Sequence, residues 1–70
     1  MRAFEVEYHI YEIREKRNLS LRQLEILSDV SKAEINNIEN GRRHPTVPTL
    51  YKLSVALKAP ICDLFTVKLK

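Results

Sequence analysis

Between Ser31 and His44 this chain gathers side chains that donate hydrogen bonds or carry positive charge, rather than side chains that break covalent bonds. Lys32, Ala33, Asn36 and Asn37 fall on the outward side of one short helical pattern, because Ile35 and Ile38 occupy its inward side. Arg42, Arg43 and His44 follow at once. Such a set suits a polyanion that also offers base edges, since lysine and asparagine match the donor and acceptor pattern of guanine and adenine and an alanine methyl can meet that of thymine. Covalent chemistry finds little support. His9 and His44 lie in different segments with no matched acid, and Cys62 has no base nearby. No metal-ligand spacing is present, and a single glycine leaves no phosphate-cradling loop. The expectation is a non-enzymatic chain with no cofactor, no metal and no small-molecule ligand.

The elements that must position these residues are short. Residues 1 to 7 alternate, Phe4 and Val6 against Ala3, Glu5 and Glu7, as an extended segment does. Ile10, Ile13, Arg14 and Arg17 recur at helical spacing, which predicts a helix from about Tyr8 to Arg17, stopped at Asn18. Ser20 caps a second helix with Gln23 in the capping-box position, and Leu21, Leu24, Leu27 and Ser28 supply its inner stripe. Asp29 ends it, Val30 plugs the turn, and Ser31 with Glu34 repeats the capping pattern for a third helix closed by Gly41. The two patterns cover about residues 20–28 and 31–40. Helices joined this tightly must cross, so the second stands out as a rib of the width that the major groove admits. Pro48 or Thr49 should open a fourth helix carrying Leu50, Leu53, Ala56 and Leu57. Ala59-Pro60 breaks it, and Ile61 to Phe65 is expected to form a short fifth. The end, TVKLK, alternates again, so the two extended ends should pair with each other or with a second copy.

Composition bounds the partners. Seventy residues suffice for one domain, 1–70, whether a whole protein or one module of a longer chain. A net charge of +3 and an isoelectric point near 9.2 are compatible with a polyanionic partner. One cysteine excludes an intrachain disulfide, and no apolar run approaches the ~20 residues that span a membrane, so the expected location is cytoplasmic.

Taken in order, Leu19-Ser20, Leu24, Val30-Ser31, Ile35, Ile38-Glu39, Gly41, Pro45, Thr49-Leu50, Leu53, Ala56-Leu57 and Leu64-Phe65 closely resemble the lambda-repressor and Cro-like helix-turn-helix family, the xenobiotic-response-element class of bacterial and phage regulators. The resemblance covers about residues 8 to 65. Three positions depart from the family's pattern. Glu25 stands where a small residue is usual, and its carboxylate is expected to lean toward the N-terminus of the third helix. Asp29 stands where the turn usually has glycine, and Leu21 where relatives often carry a phosphate-binding glutamine.

The resemblance implies an all-α, five-helix domain with short extended ends, which binds double-stranded DNA through the third helix and regulates transcription as a repressor-type factor. It implies base reading by Lys32, Ala33, Asn36 and Asn37, and phosphate contact by Ser20, Arg22, Asn40, Arg42 and Arg43. Arg14 and Glu39 match a partly buried ion pair of the family, and Arg14 also falls on the inward stripe of its own helix. One recognition helix reads too few base pairs for useful specificity, so a homodimer on half-sites ~34 Å apart is expected. The alternative is an antitoxin-like or anti-repressor module that keeps the fold and binds protein.

Overall fold

The computed structural model describes residues 3–70. A strand, β1 (Phe4–Tyr8), leads into helices α1 (Ile10–Lys16), α2 (Leu21–Ser28), α3 (Lys32–Glu39) and α4 (Val47–Leu57). A single 3-10 turn (Ile61–Asp63) then passes the chain to a second strand, β2 (Phe65–Leu69). Four α-helices and a two-stranded sheet therefore replace the expected all-α, five-helix layout. The fifth helix is cut short because Pro60 starts the segment in extended backbone, and the chain must bury Leu64 and return to β1 within a few residues. Tyr8, expected at the start of the first helix, ends β1 instead.

Each helix is bounded by its own chemistry. The Ser20 Oγ accepts from the Gln23 N–H at 3.1 Å while Gln23 Oε1 accepts from the Ser20 N–H at 2.8 Å, a complete capping box. Thr46 caps α4, so that helix opens at Val47 rather than at Pro48 or Thr49. Asn18 takes the left-handed conformation after α1 and Gly41 after α3, each followed by a bond back to the third-last helical carbonyl. Asp29 also adopts that conformation, φ 60°, and so serves the turn in place of glycine.

Ile10, Leu24, Val30, Ile35, Ile38, Leu50, Leu53, Leu57 and Leu64 make the core, drawn from all four helices, the α2–α3 turn and the approach to β2. Ser28 is buried among them without an orphan group, donating to the Leu24 carbonyl at 2.6 Å and accepting from the Val30 N–H. Leu27, expected on the inner stripe, is 58 % exposed beside Val55, because α2 presents Leu24 and Ser28 to the core and turns Leu27 away. Cys62 is likewise exposed. Tyr11 and Tyr51 are also exposed.

The ends of the chain pair antiparallel, with Val6 opposite Val67 at the centre and Phe4 opposite Leu69. Glu7 binds Lys68 and Glu5 binds Lys70, both at 2.8 Å, on one face of this sheet. No helix among the described residues is long and apolar enough to cross a membrane.

Candidate nucleic-acid interface

Helix α3 is held at both ends by buried or capped charge. At its start, the Ser31 Oγ accepts from the Glu34 N–H and a Glu25 carboxylate oxygen accepts from the Lys32 N–H at 2.8 Å. Glu25 thus reaches from α2 to the donor-rich end of α3, where negative charge is favoured. The Glu34 carboxylate does not complete the expected capping box and lies against Arg43, 3.4 Å away. At the other end, the Arg14 guanidinium grips Glu39 with two bonds, Nε to Oε2 at 2.8 Å and Nη2 to Oε1 at 3.2 Å. Its third donor goes to the Leu19 carbonyl. Both side chains are more than nine-tenths buried, so each charge depends on the other. The hydrogen bond to Glu39 holds Arg14 above its ordinary value, against the opposing effect of burial.

Between these anchors the helix exposes Lys32, Ala33 and Asn36, while Asn37 is half-buried. Asn40 donates to both the carbonyl and the side-chain oxygen of Asn36, at 3.0 and 3.1 Å, which fixes that amide along the helix. Gly41, at φ +71°, then reverses the chain, and the Arg42 N–H bonds back to the Asn37 carbonyl at 2.8 Å. Arg42 and Arg43 leave the helix end exposed, with Arg43 folded back over Glu34. Ser20 and Arg22 are exposed at the start of α2, whereas Leu21 is partly buried against the core.

One contact is not foreshadowed by the sequence reading. The Tyr8 hydroxyl and His44 Nδ1 are 2.9 Å apart, which ties the loop after α3 to the end of β1. Nothing local in either segment signals it, because the partners are thirty-six residues apart. Among the described residues, no cluster of three or more His, Cys, Asp or Glu side chains could hold a metal ion.

Comparison with known proteins agrees with this geometry. A family model described as "Helix-turn-helix" matches residues 10–64. The chain is 49 % identical over 49 residues to the HTH-type transcriptional repressor RghR and 44 % over 54 residues to the HTH-type transcriptional regulator RghRB, both of Bacillus subtilis. These matches cover 69 % and 76 % of this chain but only 36 % and 39 % of the relatives, so it spans well under half the length of either. Among solved structures, the restriction-modification controller protein C.AhdI from Aeromonas hydrophila superposes with a TM-score of 0.76 at 25 % identity, over 79 % of this chain and 83 % of that one. With α2 and α3 crossing at the Asp29–Val30 turn and the family model spanning every helix, the chain belongs to the lambda-repressor and Cro-like helix-turn-helix family.

Proposed function

We propose that this chain binds double-stranded DNA sequence-specifically, with α3 in the major groove, and regulates transcription as a repressor. The observation that carries the reading is the immobilised, exposed face of α3 between the Glu25 cap and the Arg14–Glu39 pair. Lys32 on the first turn lies nearest the base edges, with Ala33, Asn36 and Asn37 beside and beyond it. Ser20, Arg22, Asn40, Arg42 and Arg43 hold the phosphate backbone, and Arg43 exchanges its Glu34 partner for a phosphate on binding. RghR, a relative of similar sequence, is named a transcriptional repressor, which supports the sign of regulation. The protein acts in the cytoplasm as a homodimer, because one α3 contacts too few base pairs for selective binding. It catalyses no reaction.

Binding isotherms on a selected site and on scrambled duplex, at several salt concentrations, test this. Lys32→Ala should weaken the selected site by ~1–3 kcal/mol and relax preference at one base position. Arg43→Ala should weaken all duplexes alike and lower the salt slope by about one unit. Equal loss on both duplexes for Lys32→Ala removes its base-reading role, and affinity insensitive to salt removes DNA as the partner.

A further inference from the structure

Among the described residues the two-stranded sheet has two free edges, and hydrogen-bond parity shows which residues serve them. The His9 N–H bonds to the Leu64 carbonyl at 2.8 Å and the Lys70 N–H to the Ala3 carbonyl at 2.9 Å, both continuing the register of the ladder. Because bonded pairs alternate with non-bonded pairs, Glu5 with Lys68 and Glu7 with Thr66 are the bonded pairs inside the sheet. Phe4, Val6 and Tyr8 therefore turn their N–H and C=O groups outward from β1, and Phe65, Val67 and Leu69 turn theirs outward from β2. The same residues form the apolar face, of which Phe4 is 56 %, Val67 52 % and Leu69 64 % exposed.

We propose that two copies of this chain join through the edge of β2, with Val67 opposite Val67 of the second copy, into a four-stranded antiparallel sheet. This rests on the homodimer reading above and names the surface that makes it. A two-fold axis through Val67 sets Phe65 opposite Leu69 in both directions, so all six outward backbone groups of each β2 find partners. Each exposed Leu69 then lies against the half-buried Phe65 at the base of the other copy's hairpin. On the polar face Lys68 meets Thr66, and no like charges stand directly opposite. The two Lys68 side chains lie on a diagonal, each held by its own Glu7 at 2.8 Å. The β1 edge fails the same comparison. An axis through Val6 would set Glu5 directly against Glu7 twice, and like charges directly opposite oppose pairing. Lysines usually guard a strand edge, but Lys68 and Lys70 are both engaged by carboxylates of their own hairpin.

Two variants of the full chain test the edge, and each has a matched control on β1. Val67→Pro removes an outward N–H and no bond of the hairpin itself, so sedimentation should show dimer dissociation raised roughly tenfold or more. Val6→Pro removes the matching group from β1 and should leave dimerisation unchanged. In a Cys62→Ser background, Val67→Cys should form a disulfide-linked dimer on mild oxidation, because facing residues of a bonded pair lie ~5.5 Å apart at Cα. Val6→Cys should not. A dimer that tolerates Val67→Pro and gives no Val67→Cys cross-link overturns the edge and leaves the dimer reading intact. A chain that sediments as a monomer at all concentrations overturns both.

Discussion

The helical body and the terminal hairpin of this small protein are held together by opposite means. In the body, Leu24, Ile35, Leu53, Leu57 and their neighbours are almost wholly removed from water, and the Arg14–Glu39 ion pair is buried with them. In the hairpin, the apolar side chains of Phe4, Val67 and Leu69 remain more than half exposed, and the ion pairs Glu5–Lys70 and Glu7–Lys68 stand in solvent. Burial makes the body's arrangement insensitive to its surroundings, which suits a helix that must present a fixed face. The hairpin relies on a backbone ladder that is weak in isolation, so its order depends on what it docks against.

The largest expected effect breaks the body. Glu39→Ala leaves the Arg14 guanidinium buried and without a carboxylate, and should lower unfolding free energy by about 3 kcal/mol in chemical denaturation. A loss near zero would mean that water already reaches the pair. That variant removes much of the stability available to a chain of this size.

A smaller effect, of opposite sign, sharpens the comparison within the body. Lys58 ends α4 at φ 55°, a conformation that a β-carbon disfavours. Its carbonyl accepts from Arg17 and its side chain is exposed, so glycine should preserve every contact of the backbone. Lys58→Gly is expected to raise stability by about 0.5–1 kcal/mol, read from the shift in denaturation midpoint at constant slope. An unchanged or lowered midpoint would show that glycine's added freedom in the unfolded chain offsets the relief.

The smallest effect belongs to the hairpin. Lys70 holds the Glu5 carboxyl below its ordinary value of 4.5, so that pair stabilises above 4.5 and loses its contribution as pH falls through the depressed value. Glu7 holds Lys68 above 10.5, so that pair stabilises below 10.5 and is lost as pH rises through the raised value. The contribution of these two pairs to the thermal midpoint should therefore be flat between those limits and fall only slightly outside them, since exposed pairs contribute little. Replacing Glu5 with glutamine should flatten the acid side. An acid-side fall unchanged by that variant would place its origin in another carboxylate.

Much of the interface is legible locally, and the exceptions share one cause. Ser20 and Gln23, Ser31, Asn18 and Gly41 set helix ends through bonds spanning five residues or fewer, so their types and spacing suffice to place α2, α3 and the end of α1. The lean of Glu25 toward α3 follows from the same reasoning, because a tight turn leaves that carboxylate few other donors. Leu27 misleads because its spacing fits the inner stripe, yet Leu24 and Ser28 take the buried positions of α2 and Leu27 stays exposed. Glu34 misleads because Arg43, nine positions on, is brought back over it only by the reversal at Gly41.

By itself, then, the sequence determined the ends of α2 and α3, most of the buried stripe, the family and the exposure of Lys32, Ala33 and Asn36, since all of these follow from contacts within one or two turns. Only the tertiary structure decided that the two ends pair with each other, that the expected fifth helix shrinks to one 3-10 turn, and that Tyr8 anchors His44. The strand pairing depends on chain ends about sixty residues apart meeting in register, and an alternating pattern fixes which face a strand buries but not which strand it finds.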